Sequence, residues 1–269
     1  MSVQCSYEVI DAALSTALRS AVPGLAIEVV ALTGSTNADL LARVDQLHAP
    51  VLRIATQQSA GRGRGGRSWH SAAGASLTFS LAWRFELPLQ ALSGLPLAVG
   101  VAIAETLMAL SLPVQLKWPN DIFLDGEKLA GILIETAHAR TPAAPLWAII
   151  GIGINLQPSV AVSEQVAQPV ASLTDSVAPF DVNQLMASLL ERLCATLQTF
   201  EAQGFAAFNA RWNALHLHRG QAVKIVDQGR TVQSGIADGV DDHGRLLLDT
   251  AQGRRAIVAG DVSLRALEG

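Results

Sequence analysis

The fold class is decided by residues 114–155, VQLKWPNDIFLDGEKLAGILIETAHARTPAAPLWAIIGIGIN. Short apolar and β-branched runs alternate in this segment with turn residues such as Asp125-Gly126, a pattern typical of strands that follow one another closely. Four strands are predicted: Val114–Trp118, Asp121–Leu124, Leu129–Thr136 and Leu146–Ile154. A β-sheet therefore forms the centre of the predicted fold.

On the N-terminal side of this segment, strands alternate with helices. The alternation between Leu77 and Phe85 places apolar residues on one face of the segment and predicts a strand. The apolar stretch Leu87–Leu112 is interrupted by Ser, Gly, Pro and Glu105, so it predicts a buried helix and not a membrane span. The predicted elements are strands at Ala26–Leu32, Val51–Ala55 and Ser76–Phe85 and helices at 6–20, 35–47 and 91–111.

On the C-terminal side, the pattern changes near His218-Arg219-Gly220. A long loop is predicted over Gln157–Pro179. After the change, short strands at regular spacing are separated by turns, which is typical of a small β-barrel. The predicted elements are helices at 182–203 and 204–217 and strands at Ala222–Val226, Thr231–Ala237, Arg245–Asp249 and Arg254–Val258. The chain is therefore predicted to be an α+β protein with two domains, residues 1–218 and 219–269.

The composition limits the classes of function. The 269 residues include 19 Lys and Arg against 23 Asp and Glu, and the net charge of −4 argues against a surface that binds nucleic acid everywhere. Cys5 and Cys194 lie far apart and no CxxC is present, so the chain is predicted to be reduced and cytoplasmic. Met1–Val9 has no basic cluster and does not resemble a secretory signal.

A glycine- and arginine-rich segment, Gly61–Trp69, is the first candidate site. It lies in a run, residues 46–85, with five arginines and no acidic residue. Glycines let backbone N–H groups approach an anion, and guanidinium groups match carboxylate and phosphate oxygens. The segment is predicted to wrap a small anionic ligand. A plain surface loop and an RGG-type RNA-binding segment remain alternatives.

Lysine is rare in this chain, which draws attention to each lysine. Of the 19 basic residues only Lys117, Lys128 and Lys224 are lysines. Lys117 opens the motif KWPND, in which Asp121 could hold Mg²⁺ or a positive side chain. Lys128 opens an apolar strand and could place a point charge in a pocket. The alternatives are a strand-to-turn junction with an exposed lysine and an edge charge that discourages aggregation.

Two further patterns bear on a ligand site. Gly151-Ile152-Gly153-Ile154-Asn155 is half of a dinucleotide-binding fingerprint without its third glycine, and its glycines would permit packing against a flat ring. Among the six histidines, only His216 and His218 are near neighbours, and two residues apart they do not share a helix face. No metal site is therefore predicted from histidine or cysteine.

Five of these segments, in this order, resemble the motifs of the biotin protein ligase family: Gly34–Asn37, Gly61–Trp69, Lys117–Asp121, Lys128–Leu133 and Gly151–Asn155. The resemblance covers nearly the whole chain. It implies a catalytic domain with a mixed β-sheet flanked by helices, of the class II synthetase-like type, followed by an SH3-like β-barrel. It also implies that biotin is activated with MgATP to biotinyl-5′-AMP and pyrophosphate, and is then passed to one lysine of a biotin carboxyl carrier domain of acetyl-CoA carboxylase or a related carboxylase.

The resemblance further implies roles for individual residues. It assigns catalysis to Arg64, Lys128, Lys117 and Asp121, and gives Asp121 a contact with Mg²⁺. It assigns biotin binding to Ser35, Thr36, Asn37, Gln58, Gly61, Arg62, Gly63, Arg64, Trp69, Lys128 and Gly131. It assigns ATP or adenylate binding to Arg64, Arg67, Trp69, Lys117, Asn120 and Asn155. ATP, Mg²⁺ and biotin enter as substrates and ion, with no tightly bound prosthetic group.

The sequence departs from some family members in two places. Some members carry an N-terminal helix-turn-helix domain, whereas 33 residues precede Gly34 here, so no DNA binding is expected. Gly65 stands where some members have another arginine. No membrane contact is expected, and a homodimer is possible.

Two alternative functions are weighed against the ligase. Lipoate ligases and octanoyl transferases share the catalytic fold, but their loop pattern differs and the transferases use a central cysteine. An RNA-binding module would be basic, whereas this chain is acidic.

Overall fold

The computed structural model describes residues 22, 24–138, 145–159, 170–176, 180–227, 229–260 and 262–267. The helix predicted over residues 6–20 lies outside these residues. So does most of the predicted loop Gln157–Pro179. The described residues form two β-sheets with helices packed on the larger one.

The larger sheet has seven strands in the order β1-β2-β3-β7-β6-β5-β4. β1 and β2 are parallel, and the other neighbouring pairs are antiparallel, so the sheet is mixed as expected. The strands are β1 Ala26–Thr33, β2 Val51–Gln58, β3 Ser76–Phe85, β4 Gln115–Lys117, β5 Asp121–Leu124, β6 Glu127–His138 and β7 Leu146–Asn155. All seven predicted strands of this part of the chain are confirmed, with ends shifted by a few residues.

Four α-helices are described: α1 Thr36–Leu41, α2 Leu95–Met108, α3 Val182–Gln203 and α4 Ala206–Ala214. The helix predicted over 35–47 was too long, because α1 ends at Leu41 and only a short 3₁₀ turn, Val44–Gln46, follows. The helix predicted over 91–111 begins only at Leu95, since Gly94 precedes it with a left-handed φ of 82°. Short 3₁₀ turns also lie at Arg64–Gly66 and Leu89–Leu92.

α2 is the central helix of the core. It packs against α3 and against strands β4, β5 and β6, and most of its residues are buried. The segment Leu89–Met108 is long and apolar enough to cross a membrane by length and composition, yet 67% of its most apolar window is buried inside the molecule. Such burial is typical of a core helix, and the predicted buried helix is confirmed.

The smaller sheet is antiparallel, with the strand order β11-β10-β9-β8-β12. Its strands are β8 Ala222–Asp227, β9 Arg230–Val240, β10 Leu246–Thr250, β11 Gly253–Ile257 and β12 Val262–Ala266. The separate C-terminal sheet was predicted, but β12 was missed. Among the described residues no pairing joins β11 to β12, so the sheet is open where a closed SH3-like β-barrel was expected.

The two sheets are joined near β4. The backbone of Leu116 bonds to Leu215 and Leu217, which follow α4. The indole N–H of Trp118 donates to the carbonyl of Gly244 across a distance of 3.2 Å. These contacts bring the C-terminal sheet beside the motif that starts at Lys117.

Candidate active site

A cavity of about 370 Å³ opens where β4, β5, β6 and β7 meet the Gly61–Trp69 loop and β12. It brings together 14 of the 16 predicted site residues: Ser35, Thr36, Asn37, Gln58, Arg62, Gly63, Arg64, Arg67, Trp69, Lys117, Asn120, Asp121, Lys128 and Gly131. Gly61 and Asn155 are not among its lining residues. Residues distant in sequence therefore form one site.

Cationic side chains gather at one end of this cavity around a single carboxylate. Lys128 Nζ lies 2.6 Å from Asp121 Oδ1. Lys117 is the cross-strand neighbour of Asp121, and its ammonium lies 4.8 Å from the centre of the Phe123 ring. Burial lowers the pKa of Lys117, while the charge of Asp121 opposes that shift and nearby Lys128 adds to it. A phosphate or carboxylate placed here would meet two ammonium groups.

The floor of the cavity is a pair of glycines that carries an indole ring. Gly131 of β6 lies opposite Gly153 of β7. A Cβ on Gly153 would lie 2.3 Å from Trp69 Cε2, and a Cβ on Gly131 would lie 3.3 Å from Trp69 Cζ3. The ring therefore packs where any side chain on Gly153 would stand. The expectation of flat-ring packing on this motif is met by the protein's own tryptophan.

The end of the cavity formed by α1 and β2 is lined by polar side chains that carry no charge themselves. Gln58 Oε1 accepts from the backbone N–H of Thr36 at 2.7 Å and from its hydroxyl at 3.1 Å. Ser35 caps α1, and its hydroxyl accepts from the backbone N–H of Ala38 at 3.4 Å. The start of a helix thus holds small polar side chains in the cavity wall.

Asn37 is fixed from several sides at this end. Its Oδ1 accepts from Ser80 Oγ at 2.5 Å, and its Nδ2 donates to Glu135 Oε2 at 2.8 Å. A Cβ on Gly151 would lie 2.4 Å from Asn37 Oδ1, so Asn37 occupies space that only glycine leaves open. These contacts fix the orientation of the Asn37 amide at the polar end.

The Gly61–Trp69 loop folds back on itself as a hairpin. The N–H of Gly63 donates to Arg67 O at 2.7 Å, and the N–H of Trp69 donates to Gly61 O at 2.9 Å. At its tip, Gly65 has a left-handed φ of 61°. Arg64 then reaches across the cavity and donates to Asn120 Oδ1 at 3.1 Å and to the carbonyl of Gly260. The loop is thus closed over the site.

The two predicted residues that do not line the cavity support its wall. A Cβ on Gly61 would lie 2.3 Å from the carbonyl oxygen of Trp69, so the hairpin needs glycine there. Asn155 donates to the carbonyl of Lys128 at 3.3 Å and to that of Ala171 at 3.1 Å. It therefore holds the backbone from which Lys128 projects.

Sequence reasoning missed three contributors to the site. Ser80 and Glu135 anchor Asn37, and β12 brings Val262–Arg265 into the cavity wall. Glu135 is an acidic residue within a nearly apolar strand, which is a usable signal. Val262 to Arg265 alternates apolar and polar residues, the pattern of a strand. Ser80 has no such signal, because its role depends on the packing of α1 against β3.

Two family models match the chain. The model described as the biotin/lipoate A/B protein ligase family matches residues 29–155. The model described as the biotin protein ligase C terminal domain matches residues 218–265. The first range contains most of the strands of the larger sheet, and the second contains nearly all of the smaller sheet.

Individual relatives agree with these matches. The chain is 37% identical over 246 residues to the bifunctional ligase/repressor BirA of Escherichia coli, covering 91% of this chain and 76% of that protein. It is 39% identical over 246 residues to a biotin–[acetyl-CoA-carboxylase] ligase of Mycobacterium tuberculosis, covering 88% of each. A solved structure of the biotin protein ligase from Aquifex aeolicus in complex with biotin and ATP matches with a TM-score of 0.75 and 28% identity, covering 90% of this chain and 99% of that one.

Fold and site together define an ATP-dependent ligase, an enzyme that activates a carboxylate in a cation-lined cavity closed by a glycine- and arginine-rich loop. The chain belongs to the biotin protein ligase family. The expected resemblance is thereby confirmed, and biotin ligation is supported over the lipoate and octanoate alternatives.

Proposed function

We propose that the cavity carries out both half-reactions of biotin attachment. In the first, a carboxylate oxygen of biotin attacks the α-phosphorus of ATP, and pyrophosphate leaves. In the second, the ε-amine of an acceptor lysine attacks the biotinyl carbonyl carbon, AMP leaves, and the amine gives up a proton. Relatives named for acetyl-CoA-carboxylase support a biotin carboxyl carrier domain as the acceptor.

This proposal rests on one observation: the same cavity is lined by Lys117, Lys128 and Arg64. Bringing a carboxylate to a phosphate places two anions together, and fixed cations aimed at the junction lower the barrier. Lys128 is assigned to the biotin carboxylate and the α-phosphate. Lys117 and Arg64 are assigned to the phosphates, with Arg67 and Arg265 at the cavity edge.

The uncharged end suits the ureido ring of biotin. Ser35, Thr36 and Gln58 present short hydroxyl and amide groups there, and Asn37 completes the polar surface. The ring's urea needs donors and acceptors but no net charge, which matches this composition. Trp69 and the two facing glycines supply a flat apolar wall for the rest of the ligand.

Mg²⁺ is proposed to enter with ATP. Among the described residues no group of three His, Cys, Asp or Glu could hold a metal. Mg²⁺ commonly binds through one or two carboxylates together with substrate phosphates. Asp121 is the one carboxylate of the described cavity lining, so it fits this mode of binding. Asp121, which is ion-paired with Lys128, is also proposed to orient or deprotonate the acceptor amine.

We also propose that the chain is divided into two domains, residues 1–218 and 219–269, because the described strands form two separate sheets. The second unit, which we propose to be an SH3-like module, supplies Val262–Arg265 to the cavity wall and the carbonyl of Gly260 to Arg64. A role in placing ATP follows from that position. The buried free thiol of Cys194 is compatible with a cytoplasmic enzyme.

Pyrophosphate release from ATP tests the proposal. Release is expected with biotin and not with lipoate or octanoate, and biotin is then expected on a carrier domain added to the same reaction. Release with lipoate alone would assign the chain to the lipoate branch. Absence of release with all three acids would contradict an adenylating site.

A further inference from the structure

Glu135 stands between the Gly61–Trp69 loop and the polar end of the cavity. It belongs to β6, and its Oε2 accepts from Arg62 Nη2 and from Asn37 Nδ2, each at 2.8 Å. Arg62 lies in the loop, whereas Asn37 lies in α1 on the sheet. One carboxylate oxygen therefore joins the loop to the surface assigned to the biotin ring.

The two donors depend on Glu135 to different degrees. Asn37 is also held by Ser80 and by a 3.3 Å bond to the carbonyl of Leu133, so it keeps partners without Glu135. The Arg62 side chain is 41% exposed and Glu135 is its described ion-pair partner. The Arg62–Glu135 pair is charge-assisted, but its partial exposure lets solvent screen it, so its contribution to loop closure is modest. Loss of the carboxylate thus affects the loop more than the sheet.

The loop is also a wall between two cavities. A second cavity, of about 530 Å³, shares Arg62, Gly63 and Arg64 with the first and is lined by Glu135 and Gly260 as well. Displacement of the loop would connect the two spaces and admit water to the reaction site. A mixed anhydride such as an acyl adenylate is hydrolysed by water, so closure protects it.

We propose that Glu135 is a positioning residue that latches the loop through Arg62 and couples its closure to occupation of the polar end through Asn37. The latch retains the activated biotin until the acceptor lysine arrives. This inference rests on the proposed function of the cavity. It assigns Glu135 no contact with the reacting atoms.

The test compares four variants of the full chain. Glu135→Gln keeps an acceptor oxygen for Asn37 but removes the charge that pairs with Arg62. Glu135→Ala removes both, and Arg62→Gln removes the partner. Glu127→Gln is the matched control, because Glu127 is an exposed acid at the start of the same strand. For each, we would measure the KM for biotin, the kcat of pyrophosphate release, and the rate at which preformed biotinyl-5′-AMP leaves the enzyme.

Glu135→Gln is expected to raise the release rate of biotinyl-5′-AMP about threefold, with little change in the KM for biotin. Glu135→Ala is expected to raise the release rate about tenfold and to raise the KM for biotin as well. Arg62→Gln should match Glu135→Gln, and the double variant should add nothing further. Trypsin should cleave the loop of biotin-saturated Glu135→Ala faster than that of the control.

A release rate in Glu135→Gln and Glu135→Ala equal to that of Glu127→Gln would overturn the latch. Strictly additive effects of Arg62→Gln and Glu135→Gln would overturn it too. The proposed function is tested separately by the unsubstituted enzyme. If that enzyme releases pyrophosphate only with biotin, the proposed function stands even when the Glu135 variants overturn the latch.

Discussion

Lys128 and Asp121 form an ion pair, Nζ to Oδ1 2.6 Å, although they stand on different strands and are not directly opposite each other. Asp121 lies opposite Gly131, and Lys128 lies opposite Phe123. The register shifts between Ile122 and Phe123, and Lys128 extends over Gly131 to reach the carboxylate. Because Gly131 has no side chain, the ammonium has room there.

Replacement of Lys128 by alanine should slow adenylate formation strongly. The variant loses the cation proposed to bridge carboxylate and phosphate, so biotin-dependent pyrophosphate release is expected to fall about 10²–10³-fold. Its thermal unfolding should stay near that of the parent, since Lys128 is partly exposed. Arg84→Ala, which removes an exposed cation from β3, is the control and should be unaffected. Near-normal turnover in Lys128→Ala would refute the assignment.

Asp121→Asn should impair the second half-reaction more than the first. The amide cannot accept the proton of the acceptor amine, so transfer from preformed biotinyl-5′-AMP is expected to slow about 10²-fold. Single-turnover transfer to a carrier domain measures this step, and pyrophosphate release measures the other. Equal slowing of both steps would show that Asp121 acts only through Lys128 or the metal.

Gly153→Ala should displace Trp69. The new methyl group would lie 2.3 Å from the indole, which is too close for the ring to stay. Biotinyl-5′-AMP is expected to leave about tenfold faster, with a change in tryptophan fluorescence. Gly100→Ala, where the added Cβ would make an ordinary 3.5 Å contact with Leu116, is the control. Unchanged retention in Gly153→Ala would contradict the proposed role of the ring.

Arg265→Ala should weaken ATP binding and leave biotin binding intact. Arg265 reaches the cavity from β12 and lies close enough to Lys117 for its charge to lower that residue's pKa. The KM for ATP is expected to rise about tenfold, as for loss of one charge-assisted phosphate contact. Arg255→Ala, on the exposed strand β11, should not change it. A change in the KM for biotin without a change in the KM for ATP would contradict the prediction, because it would place Arg265 beside biotin and not beside the phosphates.

We predict that the lowered pKa of buried His216 makes the folded protein less stable in mild acid. Burial lowers its pKa to about 4 from 6.5, with a further contribution from the charge of His218. Between these two values the unfolded chain binds more protons than the folded one, so stability is full above pH 6.5 and falls as the pH drops toward 4. The shift corresponds to about 3 kcal/mol.

His216→Phe isolates this effect. Neither ring nitrogen of His216 has a hydrogen-bond partner among the described residues, and the ring packs 4.7 Å from that of Trp212. Phenylalanine should therefore keep the packing and reduce the loss of stability. Urea unfolding at pH 7.5 and 5.0 measures it, and an equal drop in both proteins would contradict the prediction.

The sequence predicted what local patterns encode. The alternation from Leu77 to Phe85 gave β3, and the motif around Lys117 and Asp121 placed both residues at the site, because a tight turn joins β4 and β5. The end of α1 and the start of α2 were misplaced, since neighbouring residues such as Gly94 decide helix ends one position at a time. The apolar pattern of a long segment predicts that a helix is present, but it does not determine the residue at which the helix begins or ends.

The parts of the site that were missed depend on long-range packing. Ser80 meets Asn37 because α1 packs on β3 and β7, and because Gly151, opposite Ser80 on β7, leaves room for the amide. Strand β12 pairs with β8, and the loop's arginine finds Gly260 through that pairing. The open order of the smaller sheet also follows from which strands pair, not from how they are spaced. Spacing alone does not determine pairing.

The bond from Arg64 to the carbonyl of Gly260 spans 196 positions of the chain. The residues of the larger sheet are translated before Gly260. The contact between Arg64 and the Gly260 carbonyl can therefore form only after Gly260 has been translated and β12 has paired with β8. Proteolytic cleavage before Gly260 would therefore remove this contact of Arg64 while the strands of the larger sheet kept their own pairing.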